Sequence, residues 1–152
     1  MQGGLIQGKD RKMREILFKV KELTMDYWHE GLLTRLDQDI CHIKDNLHSE
    51  WICKSETICQ YTGLTDKNGI RIFEGDVVEF QFDKDDCSFS DKDTKKRIGR
   101  VYFEEFRASF AIAMGRNGSS VINNDLFKYV QNGNRVSVIG NIHDNPELLG
   151  GE

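Results

Sequence analysis

The sequence of 152 residues contains one proline, few cysteines and no excess of positive charge. The single proline, Pro146, argues against a proline-rich linker between domains. No apolar run approaches the roughly 18 residues that a membrane span requires. The N-terminal residues also lack the apolar segment of a signal peptide. We therefore expect one domain, located in the cytoplasm and without contact to a membrane.

The charge balance argues against nucleic-acid binding by the protein surface as a whole. The chain has 21 Lys and Arg against 25 Asp and Glu, a net charge of −4, whereas phosphate backbones are bound by a basic footprint. One local stretch, residues 95–107, keeps the alternative open because aromatic side chains alternate there with cations, as in single-strand binding surfaces. The candidate nucleic-acid residues are Lys95, Lys96, Arg97, Arg100 and Tyr102.

The four cysteines are Cys41, Cys53, Cys59 and Cys87. A chain of this length needs no disulfide staple, and nothing indicates export, so we expect free thiols. The sharper alternative is a zinc site that would add His42 and His48 to the first three cysteines. Zinc ligands usually come in close pairs such as C-x2-C, and this sequence has none. We therefore predict no bound metal.

Motifs that carry catalysis or bind phosphate are absent. The sequence contains no G-x-x-x-x-G-K-[ST], G-x-G-x-x-G, G-x-S-x-G or H-E-x-x-H. The acidic stretch that starts at Asp83 fails as a calcium loop, because Cys87 and Ser88 stand where a ligand and a glycine are needed. A Cys/His nucleophile pair stays open, since its members meet in space rather than in sequence. We expect no cofactor, and an enzyme is the least supported hypothesis.

What the sequence does contain is alternation. Apolar side chains recur every second residue at Phe18 and Val20 and again at Val78 and Phe80, which is typical of half-buried strands. Asn and Gly mark turns between such segments, as at residues 68–69. The pattern predicts a mainly β fold, a small barrel or sandwich.

Two segments favour helical structure instead. Leu36, Ile40, Ile43 and Leu47 are spaced as one face of a helix, so we assign a short helical or irregular excursion within residues 24–50. Near the C-terminus, Asn145 and Pro146 favour one helical turn with Asn145 as its N-cap. Residues 121–130 fit a strand or a short helix equally well.

Three segments together resemble one family. They are residues 13–20 (MREILFKV), 60–78 (QYTGLTDKNGIRIFEGDVV) and 138–149 (VIGNIHDNPELL). In this order they resemble the YopX-like proteins of bacteriophages and prophages. The resemblance implies an SH3-like barrel over residues 13–149, an origin in phage or prophage, and a homo-oligomer. Residues 1–12 then form a disordered tail or a non-native extension, and residues 150–152 a flexible C-terminus.

The resemblance supplies no catalytic residues. Among the positions that match, the candidate binding residues are Tyr61, Asp66, Asn68, Asp76 and Asn141. Turn and corner geometry explains most of them equally well. The leading hypothesis is a non-enzymatic module that binds itself or a phage or host protein, since small barrels offer grooves and edge strands to protein partners. The alternative is an accessory protein that binds nucleic acid through residues 95–107.

Overall fold

The computed structural model describes residues 14–81, 96–114, 119–131 and 133–150. The predictions for the N-terminal tail and for residues 151–152 lie outside this range. So do Lys95, Cys87 and the acidic stretch that begins at Asp83.

Strands are the dominant regular element of the described residues, which confirms the mainly β prediction. The eleven strands in chain order are β1 (Phe18–Lys21), β2 (Trp28–Leu36), β3 (Ile40–Lys44), β4 (Glu50–Lys54), β5 (Cys59–Thr65), β6 (Arg71–Phe73), β7 (Asp76–Gln81), β8 (Lys96–Glu104), β9 (Ser109–Met114), β10 (Ser119–Asp125) and β11 (Val136–Asn141). One α-helix, α1 (Leu126–Val130), follows β10, and two 3-10 turns span Ser55–Thr57 and Pro146–Leu149. No helix in the described residues has the length and apolar character to span a membrane.

The strands form two antiparallel sheets. The first has the order β4-β3-β2-β1-β5-β6, and the second has the order β10-β9-β8-β7-β11. The strand pairs within both sheets are antiparallel. No closed barrel is found among these described strands, so the SH3-like barrel stays a prediction.

The prediction of a helical excursion within residues 24–50 is wrong, because this segment forms β2, β3 and β4. The supposed helix face does not exist: Ile43 is fully buried, whereas Leu36, Ile40 and Leu47 are exposed. Helical spacing arose by coincidence across two strands and their turns. The true signal was the alternation in β3, where Cys41 and Ile43 are buried and their neighbours are not.

A tight turn closes the β3–β4 hairpin. One carboxylate oxygen of Asp45 accepts hydrogen bonds from the backbone N–H groups of Leu47 and Ser49, both at 2.9 Å. His48 adopts the left-handed conformation, with φ of 66°. The Asp45 side chain thus satisfies two backbone N–H groups of the turn, and the left-handed conformation of His48 helps to reverse the chain direction.

Three groups of buried side chains form the core. The largest lies on one face of the second sheet and includes Phe80, Ile112, Leu126 and Tyr129. A second group, around Val20, Cys41, Ile43 and Cys53, lies within the curled end of the first sheet. There, a bridge between Glu22 and Cys53 brings the end of β1 back to β4. The third group, Cys59, Tyr61 and Phe73, lies on β5 and β6.

The structure contains the elements expected near the C-terminus, with one difference in how the last turn is capped. Residues 121–130 contain the end of β10 followed by α1, so the strand and the helix are both present. Pro146 begins the predicted helical turn, which is a 3-10 turn. The side chain of Asn145 does not cap it, and instead its Oδ1 accepts the backbone N–H of Asn141 at 3.3 Å.

Candidate functional site

One groove runs along β5 and β6 toward the second sheet. It has a volume of about 520 Å³. We call it the charged groove, and its lining includes Glu15, Lys19, Glu30, Tyr61, Arg71, Phe73 and Asp76. It therefore brings together two predicted binding residues, Tyr61 and Asp76. Tyr61 packs against Phe73 with ring centroids 5.5 Å apart, and the Arg71 guanidinium lies 5.8 Å from the Tyr61 ring.

A buried ion pair forms the floor of the charged groove. Lys19 Nζ donates to Asp76 Oδ1 at 2.9 Å, and the backbone N–H of Phe73 donates to Asp76 Oδ2 at 2.8 Å. Burial raises the pKa of Asp76, and the neighbouring Lys19 ammonium partly offsets that rise. The ammonium also lies 4.9 Å from the ring centroids of both Trp28 and Phe73. The Lys19 charge is thus fully engaged by an anion and two aromatic faces.

Asp66 is buried and acts as the hub of a turn. Its Oδ1 accepts the backbone N–H groups of Asn68 at 2.8 Å and Ile70 at 2.9 Å. Its Oδ2 accepts the N–H of Val138 on β11, 72 positions away, at 2.9 Å. The side chain therefore closes its own turn and ties the first sheet to the edge of the second. Asn68 lies exposed in the same turn.

Asn141 organises a different turn, after β11. Its Oδ1 accepts the N–H groups of His143 at 3.0 Å and Asp144 at 2.9 Å, and its Nδ2 donates to Asp144 Oδ2 at 3.2 Å. Asp144 also accepts from Trp28 Nε1 at 2.7 Å and pairs with Lys21. Burial opposes ionisation of Asp144, but the hydrogen bonds from these three partners outweigh it and lower its pKa to about 2.

Sequence reasoning missed the residues that join the two sheets. Lys19 and Lys21 alternate with the buried Val20 on β1, so both extend to the side opposite Val20. Each lysine meets an acid that is distant in the sequence, Asp76 at the start of β7 and Asp144 after β11. The lysine alternation was visible in the sequence, but partners 57 and more positions away leave no local pattern.

The basic stretch divides between two sides of β8. Lys96, Arg100 and Tyr102 share one side by strand alternation, and Arg97 faces the other. Lys96 pairs with Glu79 at 3.4 Å, and the Tyr102 hydroxyl donates to Glu104 Oε2 at 3.1 Å. The Arg100 guanidinium lies 5.5 Å from the Tyr102 ring. Acidic neighbours thus weaken the local positive field.

The described cysteines are free thiols whose ionised form is disfavoured by burial. Burial raises the pKa of Cys59 to about 12 and that of Cys53 to about 11, and it raises the pKa of Cys41 as well. A catalytic cysteine requires the opposite shift, toward the thiolate at neutral pH. No three His, Cys, Asp or Glu side chains converge as metal ligands within the described part of the chain.

A second groove, of about 590 Å³, lies between β5 and the β8–β9 hairpin. We call it the aromatic groove, and its lining is Arg14, Gln60, Thr62, Leu64, Phe103, Ala108, Ser109, Phe110, Asp125 and Phe127. Phe103 and Phe110 meet edge to face with centroids 5.4 Å apart. Yet 41% of Phe103 and 53% of Phe127 remain exposed to solvent. Sequence reasoning missed this groove, because its aromatic residues Phe103, Phe110 and Phe127 lie on three different elements, β8, β9 and α1.

The turn between β8 and β9 stands beside this groove and carries Phe106, which is 96% exposed. The Ala108 N–H donates to the Glu105 carbonyl at 3.2 Å, and Ala108 is left-handed, with φ of 50°. This geometry holds Phe106 at the tip of the hairpin, outside the groove of its own chain.

Comparison with known proteins places the chain in a family. The crystal structure of protein EF1440 from Enterococcus faecalis is similar, with a TM-score of 0.52 and 21% identity over 91% of this chain and 100% of that one. At this identity the similarity concerns the fold alone. No significant match was found among curated proteins. A family model described as YopX protein matches residues 9–150, which confirms the resemblance seen in the sequence. The chain belongs to the YopX family.

Proposed function

We propose that this protein is a non-enzymatic interaction module that binds a protein partner through the aromatic groove. The partner is a second copy of the chain or a phage or host protein. The proposal includes a phage or prophage origin, action in the cytoplasm of the bacterial host, and the small SH3-like barrel that the family resemblance implies.

The observation that carries this proposal is the exposure of Phe103 and Phe127 in the aromatic groove, with the exposed Phe106 beside it on the β8–β9 turn. Exposed aromatic side chains that cluster at a groove are typical of protein recognition, because they bury large apolar area with little loss of conformational entropy. The charged groove supports binding less well. Its two cations are already paired with carboxylates, Lys19 with Asp76 and Arg71 with Glu15 and Glu30.

A peptide selection tests the proposal. Peptides selected from a random library on the wild-type protein are measured by fluorescence anisotropy against wild type and Phe127→Ser. We expect the Phe127→Ser variant to bind at least about tenfold more weakly, as for a residue at the centre of an interface. The matched control is Leu47→Ser, which alters an 80% exposed apolar residue on the distant β3–β4 turn. Equal affinity of all three proteins would refute the proposal.

Nucleic-acid binding is the second candidate, supported by the contact between Arg100 and the Tyr102 ring. It predicts that a single-stranded oligonucleotide binds in ~50 mM salt, where phosphate contacts are strongest. It also predicts that joint replacement of Lys95, Lys96 and Arg97 by Ala weakens this binding. Absence of any shift at low salt would eliminate the candidate.

A further inference from the structure

The aromatic groove and the exposed Phe106 lie at the same end of the molecule. Ala108 and Ser109, two and three residues after Phe106, already line the groove. Phe106 does not fill that groove, because 96% of it is exposed. One chain therefore presents an apolar anchor next to an aromatic-lined groove that the anchor does not occupy.

We propose that the aromatic groove binds the β8–β9 turn of a second copy of this chain, with Phe106 of each copy inserted into the groove of the other. This inference rests on the proposed function and names its partner. An anchor and a receptor on one surface satisfy the condition for a twofold interface, in which the same patch serves both subunits. Burying an aromatic ring in a groove is the usual energetic centre of such contacts.

The charges around the two elements are complementary. The turn places Glu105 directly before Phe106, and the groove carries Arg14. Insertion of Phe106 would bring the Glu105 carboxylate of one copy toward the Arg14 guanidinium of the other. Opposite charges at the edge of an interface fix its orientation and disfavour other partners. A generic apolar ligand would gain nothing from this arrangement.

Analytical ultracentrifugation across a range of protein concentrations tests the inference. We expect wild type and the Leu47→Ser control to form dimers, and Phe106→Ser to dissociate at a concentration at least about tenfold higher. Phe106 makes no buried contact in its own chain, so this variant is expected to fold like wild type, which thermal melting checks. A dimer whose dissociation constant is unchanged by Phe106→Ser would overturn the inference.

A charge exchange adds a readout that simple loss of apolar surface cannot produce. Glu105→Arg places a cation against Arg14 of the other copy and is expected to weaken the dimer. Combination with Arg14→Glu restores the attraction and is expected to recover most of the affinity. Failure of the double variant to recover would contradict the proposed docking geometry.

The experiments separate this inference from the proposed function. If wild type stays monomeric at every concentration while selected peptides bind in a Phe127-dependent manner, the second copy is excluded and the interaction module stands. If the chain is monomeric and no selected peptide depends on Phe127, both proposals fail.

Discussion

At the scale of single residues, two of the candidate binding residues, Asp66 and Asn141, organise turns. Both were singled out because they match the family resemblance, with turn geometry as the competing explanation, and both accept backbone N–H groups as turn residues do. What the sequence could not reveal is the third bond of Asp66, to Val138 on a distant strand. A turn can be predicted from neighbouring residues in the sequence, whereas a contact between residues 72 positions apart can be identified only once the fold is known.

Replacement of Asp66 by Ala is expected to cost about 2–4 kcal/mol of unfolding free energy, because three backbone N–H groups lose a charged acceptor. Urea denaturation at neutral pH measures the change. The control is Asn68→Ala in the same turn, where the side chain is exposed and we expect about 0.5 kcal/mol or less. Equal midpoints for the two variants would contradict the role of Asp66.

Asp144 predicts a dependence of stability on pH. Its pKa of about 2 in the folded protein lies below the ordinary 3.8, so the unfolded chain binds a proton first as the pH falls. The stabilisation is therefore fully present above about pH 5 and is lost as the pH falls toward 2. Because the side chain is 34% exposed, screening reduces the effect to about 1 kcal/mol.

Urea midpoints of wild type and Asp144→Asn, measured from neutral pH down to about pH 2, check this expectation. The gap between the two proteins should be largest at neutral pH and should shrink on acidification. A gap that is constant or that widens in acid would show that Asp144 is not stabilised in its ionised form.

At the scale of elements, strand segments with clear alternation were predictable and the β2–β4 region was not. A register shift between Leu33 and Arg35 interrupts the pairing of β2 with β3 and breaks the two-residue period. Exposed Leu and Ile side chains at strand ends and in turns then happened to have the spacing of a helix face. The misassignment therefore has a physical cause: the apolar pattern records burial, and this curled hairpin leaves several large apolar side chains outside.

Gly31 on β2 shows how tightly this region is packed. A Cβ atom at Gly31 would lie 2.0 Å from the Lys44 carbonyl oxygen, which belongs to the backbone of β3. We expect Gly31→Ala to cost about 3 kcal/mol or more, since backbone must move to accept it. Gly63→Ala is the control, because only its φ of +86° is unfavourable and no atom lies within 4 Å, so about 1 kcal/mol is expected.

Thermal melting of the two glycine variants measures the difference. Gly31→Ala is expected to melt far below Gly63→Ala or to fail to fold. Similar melting temperatures would mean that β2 and β3 do not approach each other as closely as the structure indicates.

At the scale of the whole molecule, two charge pairs on β1 hold the first sheet to the second. Lys19 meets Asp76 at the start of β7, and Lys21 meets Asp144 after β11. These contacts escaped sequence reasoning because a lysine on a strand usually marks a solvent-facing side. The mainly β class, by contrast, follows from alternation and turn chemistry that each segment carries on its own.

Lys19→Met is expected to lose about 3 kcal/mol at neutral pH, because it leaves the Asp76 carboxylate buried without its cation. Loss of Lys19 raises the Asp76 pKa further above its ordinary value, so the folded protein holds a proton there that the unfolded chain releases. The variant should therefore regain stability as the pH falls toward the ordinary carboxyl range.

The control is the double variant Lys19→Met with Asp76→Asn, whose amide oxygen still accepts the Phe73 N–H. It should be more stable than Lys19→Met at neutral pH and should show no recovery in acid. Urea midpoints across this pH range provide the comparison. A Lys19→Met protein that shows no recovery in acid would contradict the buried ion pair.

The central claim is that this YopX-family protein binds protein through the aromatic groove, and hydrogen exchange tests it most directly. Amide exchange is measured on the protein alone and on the protein saturated with a selected peptide. The exchange rates of the β8–β9 turn and the β3–β4 turn are then compared. The account predicts slower exchange on binding in the β8–β9 turn, residues 105–108, and in α1, with no change in the β3–β4 turn, residues 46–48. Protection confined to the β3–β4 turn, or protection at neither place, would contradict it.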